Sequence, residues 1–229
     1  MSSAISPKVP TDGMFLYLDA SNKRSHPGSG TNWFNLLPTP ESGSYFTSPT
    51  FDSGNGGAVA FDGDNDQINL PILATGNDFS VTTWVYAIEQ SNINMIMANN
   101  VGGAISGFLL YWNTYLTSDR KITIETADGT NQSAVRNDTT LVEFDTWQHI
   151  GFILNRTAGT GAIYYNGRLS ATGSVETDFS VSNAVSIGGT PGFSYNMNGR
   201  IANLAIYNRL LTSDEMLQSY LAVKSRFGY

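Results

Sequence analysis

The chain has 229 residues, 41% hydrophobic and 12% aromatic, so it can bury a full core and is not a disordered segment. It has no cysteine, which excludes disulfides, thiolate nucleophiles and cysteine-held metals. Its net charge of -7, with no Lys/Arg run longer than a pair, argues against nucleic acid and against anionic membrane surfaces as partners.

The predicted elements begin after a polar, Pro-containing arm over residues 1–12. No basic stretch followed by an apolar one precedes it, so no secretory signal is read there, and no apolar run is long enough for membrane insertion. Residues 14–19 form a short apolar strand. Residues 20–57 are rich in Ser, Gly, Asn and Pro and read as a long, weakly regular connection, with Trp33, Phe34, Tyr45 and Phe46 as anchors. Residues 58–62 and 67–70 read as the arms of a hairpin. Strands follow over residues 79–86, 94–98, 107–112, 121–126, 132–135, 147–154, 162–165, 168–171, 184–187 and 200–207. Asp128-Gly129 matches a type I′ turn, and Asn166-Gly167 is the strongest hairpin signal. The period then changes: Thr212-Ser-Asp-Glu215 fits a capping box, and Met216, Tyr220 and Val223 share one face of a helix of about three turns. The expected fold is all-β, a two-sheet antiparallel sandwich with one C-terminal α-helix, in a single domain over residues 13–229.

Few residues suggest chemistry. A retaining glycosidase needs two carboxyl groups about 5–5.5 Å apart. Glu143 and Asp145 come nearest in sequence but read as loop residues before a strand. His149, in that strand with no nucleophile elbow near it, reads as a packed or hydrogen-bonded histidine. Asp62, Asp64 and Asp66 alternate in a Gly-containing turn and are the candidate ligands for Ca2+. An EF-hand is rejected, because Gln67 and Leu73 stand where its glycine and glutamate belong. The competing reading is a turn whose carboxylates cap backbone amides. The best candidate contact surfaces are Tyr111, Trp112 and Tyr115, with Phe193 and Tyr195 in the loop Gly192-Phe-Ser-Tyr195. Trp112 alternates with Phe108 and Leu110 and so also fits a core position.

Several phrases carry a resemblance: Leu16-Tyr-Leu-Asp-Ala-Ser-Asn22, Phe61-Asp-Gly-Asp-Asn-Asp66, Phe79-Ser-Val-Thr-Thr-Trp84, Trp147-Gln-His149, Tyr164-Tyr-Asn-Gly167 and Ile201-Ala-Asn-Leu-Ala-Ile-Tyr-Asn-Arg209. In this order and spacing the chain resembles laminin-G-like, concanavalin A-like jelly-roll domains, in wording similar to those of tailed bacteriophages. One departure is Phe34-Asn-Leu-Leu-Pro38 after Trp33, where such domains often carry Asp-Leu-Ser-Gly-Asn-Gly. The resemblance implies binding of glycans or proteins, with calcium at the rim in some members. The expected function is a non-catalytic virion component, such as a decoration, fibre or appendage subunit. Its partners would be other virion proteins, reached through the arm, and host-surface glycans. A free carbohydrate-binding module is the alternative, and either is compatible with a homo-oligomer.

Overall fold

The computed structural model describes residues 7–38, 42–45, 47–72, 78–139, 141–181, 183–192 and 195–229. Short segments rich in apolar residues, separated by Gly, Asn and Asp, pair into two sheets of eight strands each. The strands are β1 (Met14–Asp19), β2 (Asn32–Phe34), β3 (Ser42–Tyr45), β4 (Thr50–Asp52), β5 (Ala58–Asp62), β6 (Ile68–Ile72), β7 (Asp78–Ala87) and β8 (Asn94–Ala98). They continue with β9 (Gly107–Trp112), β10 (Ile122–Ala127), β11 (Gln132–Arg136), β12 (Trp147–Asn155), β13 (Thr160–Tyr165), β14 (Arg168–Ser174), β15 (Ala184–Ile187) and β16 (Asn198–Tyr207). The first sheet runs β14-β13-β12-β7-β16-β5-β4, with β1 also pairing to β16; the second runs β11-β10-β9-β8-β15-β6-β3-β2. The expected sandwich is therefore the observed one.

The core between the sheets takes the inward side chains of both, including Trp33, Phe79, Phe108, Trp112, Phe152 and Ile187. β7 and β16 are buried almost throughout, because the first sheet is covered on its outer side as well. The cover is α1 (Ser213–Val223) and the 3-10 turn Lys224–Phe227 that follows it. The capping box forms as expected: Thr212 Oγ1 accepts from the Glu215 N–H, and Glu215 Oε2 accepts from the Thr212 N–H. Met216 packs with Tyr164, Ala205 and Tyr207. Beyond it Trp84 stacks on Tyr220 and Phe227, with ring centroids 5.5 and 4.4 Å apart. His149 lies beneath this cover, 1% exposed. Its Nε2 is 3.3 Å from Ser219 Oγ, and its Nδ1 has no partner. Burial drives its pKa down to about 3, so it is a neutral packed histidine.

Three local expectations change. Residues 58–62 and 67–70 are not a hairpin: β5 pairs with β4 and β16 in the first sheet, and β6 with β3 and β15 in the second. The turn signal between them marks a corner where the chain crosses from sheet to sheet, which local sequence does not distinguish from a hairpin. Asp128-Gly129 is not a type I′ turn. The connection spans residues 128–131, closed by the Asp128 N–H donating to the Asn131 carbonyl, and only Gly129 takes positive φ, at 102°. Asp128 instead caps the amides of Thr130 and Asn131 with its carboxylate. The stretch 20–57 is more regular than expected, since it supplies β2, β3 and β4. Asn166-Gly167 does form the expected turn, with φ of 49° and 76°, and joins β13 to β14.

The described part of the arm lies against its own domain. The Lys8 carbonyl accepts from Gln218 Nε2, and the Pro10 carbonyl accepts from Tyr207 Oη.

Candidate binding face

Strand register decides what the outer face of the second sheet presents. One row runs straight across it from β6: Ile68, Ile187, Met97, Leu110, Ile124 and Val135 are paired in sequence, and all belong to the inter-sheet core. The adjacent row must therefore point outward. It runs Ser44, Asn69, Ser186, Ala98, Leu109, Glu125 and Ala134. A second outward row is Met95, Tyr111, Thr123 and Arg136. A β-bulge between Met95 and Met97 makes this possible: Ile96 and Met97 both turn into the core, so Met95 and Ala98 both turn out.

On this face Ile93, Met95, Ala98, Leu109 and Tyr111 form a separate apolar cluster, and Tyr195 packs onto it. Tyr195 is positioned by a closed loop, in which the Thr190 N–H donates to the Tyr195 carbonyl at 3.0 Å and the Tyr195 N–H donates to Thr190 Oγ1 at 3.1 Å. Tyr115 meets the Tyr195 ring edge-on, with centroids 6.1 Å apart, and is 61% exposed. Its loop is tied down by buried Asn113, whose Nδ2 donates to the carbonyls of Gln90 and Asn92 and whose Oδ1 accepts from the Arg120 N–H. Asn113 takes φ of 62°, a conformation asparagine tolerates better than most residues.

Polar groups border the rings. Tyr111 Oη donates to Glu125 Oε2 at 2.9 Å, and Arg136 Nε donates to Thr123 Oγ1 at 3.1 Å. Burial, then the Glu125 charge, raises the Tyr111 phenol; burial, then Tyr115 and Glu125, raises that of Tyr195. Both hydroxyls therefore stay protonated at neutral pH and can donate and accept. Tyr111 itself is buried, and the arrangement offers the exposed ring of Tyr115 and the half-buried ring of Tyr195 beside carboxylate and guanidinium groups, the combination that stacks on a sugar ring and orients its hydroxyls.

Of the sequence candidates, Tyr115 and Tyr195 meet at this face. Phe193 lies outside the described residues. Trp112 does not contribute: it is fully buried between the sheets, and its neighbour Tyr111 points outward instead, because adjacent strand residues face opposite sides. Sequence reasoning missed Glu125 and Arg136, which reach the face only through the pairing of β9, β10 and β11. Asp62, Asp64 and Asp66 sit at the sheet-to-sheet corner. Asp62 Oδ1 accepts from the N–H groups of Asp64 and Asn65, and Asp66 Oδ2 accepts from that of Asp62. Burial, then the charge of Asp62, raises the pKa of Asp66. Among the described residues no group of three His, Cys, Asp or Glu is placed to hold a metal ion. Glu143 and Asp145 lie in the loop before β12, beside the first sheet rather than on this face: the Glu143 N–H donates to Gln148 Oε1, and Tyr86 Oη lies 3.5 Å from Asp145 Oδ1. Among the described residues no helix is long and apolar enough to cross a membrane.

Two antiparallel sheets packed face to face, one bearing Tyr115 and Tyr195 at its outer side, define a lectin-like sandwich. The chain belongs to the concanavalin A-like lectin/glucanases superfamily, whose family model matches residues 53–216. No curated protein sequence matches it. Similar solved structures include the botulinum neurotoxin type G receptor binding domain, at 15% identity and a TM-score of 0.67, over 91% of this chain and 51% of that one. Trypanosoma rangeli sialidase in complex with 2,3-difluorosialic acid matches at 18% identity and a TM-score of 0.68, over 96% of this chain and 35% of that one. The binding domain of Paraclostridial Mosquitocidal Protein 1 matches at 14% and 0.69, over 91% and 52%. At these identities the likeness is one of fold. The chain spans between about a third and a half of the length of each neighbour.

Proposed function

We propose that the protein is a non-catalytic, lectin-like adhesion module that binds glycan on the outer face of its second sheet. The observation that carries this is the meeting of Tyr195 and Tyr115 beside Leu109, Tyr111 and Glu125, on a sheet face that no helix covers among the described residues. Two structural neighbours support the reading: one is a receptor binding domain, the other a sialidase in complex with 2,3-difluorosialic acid. A non-catalytic role is supported by the outward row across the sheet, which carries a single carboxylate, Glu125, where glycoside hydrolysis generally uses a pair. Binding to soluble polysaccharides by affinity electrophoresis tests the proposal. Retardation by at least one polymer, lost in Tyr195→Ala, is expected; unchanged retardation in that variant overturns the site, and turnover of any polymer overturns the non-catalytic reading.

In its finer form the proposal makes this module a virion component, a decoration, fibre or appendage subunit that contacts other virion proteins or host-surface glycan. The phage-like phrasing of the sequence supports it. Because residues 8 and 10 are held by the chain's own helix and sheet, an arm reaching a neighbouring subunit would begin before Pro7. Mass spectrometry of purified particles tests the placement. Deleting residues 1–6, which spares the contacts of Lys8 and Pro10, is expected to abolish incorporation, and unchanged incorporation removes the role of the arm.

A further inference from the structure

The cover over the first sheet ends in a segment that is held differently from α1. Val223, at φ of -123° and ψ of -14°, breaks the helical path between α1 and the 3-10 turn Lys224–Phe227, and none of the four residues of that turn is buried. Two side chains of the segment instead enter a socket built by distant parts of the chain. Arg226 is the first. Its Nε donates to the Asn55 carbonyl at 2.6 Å, its Nη1 to Asp19 Oδ1 at 2.9 Å and its Nη2 to the Gly57 carbonyl. The backbone that presents the two carbonyls takes positive φ at Asn55, Gly56 and Gly57, of 48°, 82° and 129°. A Cβ on Gly57 would lie 2.5 Å from the Ala20 carbonyl oxygen, so this cradle needs glycine there. Fixed acceptors around a planar guanidinium select arginine over lysine. Phe227 is the second. Its ring centroid lies 4.4 Å from that of Trp84 and 4.6 Å from that of Trp147. Trp147 Nε1 donates to Asn55 Oδ1 at 3.1 Å, so Asn55 serves both halves of the socket. Tyr229 Oη completes the set by donating to the Trp147 carbonyl at 2.6 Å.

The segment is thus bound by its side chains, as a peptide ligand is, with an arginine in a polar cradle and an aromatic ring between two tryptophans. Open space borders it on both sides. A cleft of about 470 Å³, walled by Tyr17, Asp19, Val223 and Arg226, lies on one flank. Another of about 220 Å³, walled by Asn55 and Trp147, lies on the other. The same segment arriving from a second copy would remake every bond that the resident one gives up. Exchange therefore needs no new contact, and protein concentration decides between the two arrangements. Extended from Val223, residues 224–229 reach up to about 20 Å, enough to enter the socket of an abutting copy.

We propose that the socket of Asp19, Asn55, Gly57, Trp84 and Trp147 is a binding site for an arginine–aromatic peptide, closed here by the chain's own Arg226-Phe227-Gly228-Tyr229, and that the same segment of a second copy is its partner in trans. The proposal concerns the first sheet and does not depend on glycan binding at the second. Fluorescence anisotropy with a labelled, end-capped Ser-Arg-Phe-Gly-Tyr peptide tests the site. Full-length Phe227→Ala, whose own segment holds the socket less well, binds this peptide about tenfold more tightly than the wild type does, because the resident segment no longer competes. Peptides with alanine in place of the arginine or the phenylalanine do not bind. Sedimentation velocity tests the partner. The wild type dimerises as its concentration rises, Phe227→Ala and Asp19→Ala are each monomeric, and their mixture forms a heterodimer, one chain supplying the segment and the other the socket. Melting temperatures are recorded for each variant. In the wild type, where no substitution can disturb folding, an equimolar mixture of 13C-labelled and unlabelled protein gives intermolecular NOEs between the rings of Phe227 and Trp84. A folded Phe227→Ala that fails to bind the peptide overturns the site. A wild type that stays monomeric at millimolar concentration, or a dimer without those NOEs, overturns the second copy as partner.

Discussion

Stability should fall as the protein is acidified from pH 7 to pH 5, and His149 should be the main cause. The imidazole is enclosed by Trp84, Tyr220 and Ser219, and burial drives its pKa from 6.5 down to about 3. Between those values the unfolded chain binds a proton that the folded protein refuses, so unfolding stability rises with pH across this window and is lost as pH falls. The limiting slope is about 1.4 kcal/mol per pH unit, and from pH 7 to pH 5 the loss sums to about 2 kcal/mol. His26, whose pKa burial also lowers, adds a term of the same sign. Glu215, held down to about 2 chiefly by its hydrogen bond from Arg209, loses its contribution only as pH falls below its unfolded value of 4.5, outside this window. Urea unfolding at pH 7, 6 and 5 measures the effect. His149→Gln is expected to remove most of the pH dependence, whatever it costs in stability at pH 7. A variant that keeps the full wild-type slope refutes the assignment.

Gly188→Ala should destabilise by about 3 kcal/mol, since φ is +79° and the added methyl would meet the Phe61 ring at 2.2 Å; thermal unfolding checks this, and an unchanged melting temperature counts against the packing described. Calcium and chelator should both leave the melting temperature unchanged, because Asp62 and Asp66 are already engaged by backbone amides; a rise of several degrees with calcium would restore Asp62, Asp64 and Asp66 as ligands. Tyr115→Ala should weaken glycan binding less than Tyr195→Ala, because Tyr195 packs on the apolar cluster while Tyr115 meets only its edge; titration of both variants decides, and the reverse order contradicts the geometry.

Much of the fold was legible because its signals are local. β-branched and aromatic runs marked β7, β12 and β16, and Asn166-Gly167 and Thr212-Glu215 marked a turn and a cap whose geometry depends on a few neighbouring residues. What stayed hidden depends on distant partners. β2, β3 and β4 are short and rich in Ser, Gly and Asn, and they exist because the rest of each sheet gives them an edge. Gly43 shows this: an added Cβ would lie 2.7 Å from Ile68, a residue on the neighbouring strand. Which sheet receives β6 was likewise invisible in the corner from Asp62 to Gln67. The binding face divides the same way. Tyr115 and Tyr195 were legible as aromatics in turns, whereas Glu125 and Arg136 join them only once β9, β10 and β11 have fixed their register. Trp112 and Tyr111 were read as one aromatic set, and the parity of β9 sends them to opposite faces.

The central claim is that ligand is held by the outer face of the second sheet. Amide chemical-shift mapping during titration with an oligosaccharide cut from a polymer that retards the protein tests it most directly. Shifts are expected to concentrate at Leu109, Tyr111, Tyr115, Glu125 and Tyr195. Saturable shifts confined to the opposite sheet, around Asp52, Tyr86 and Arg200, would contradict it.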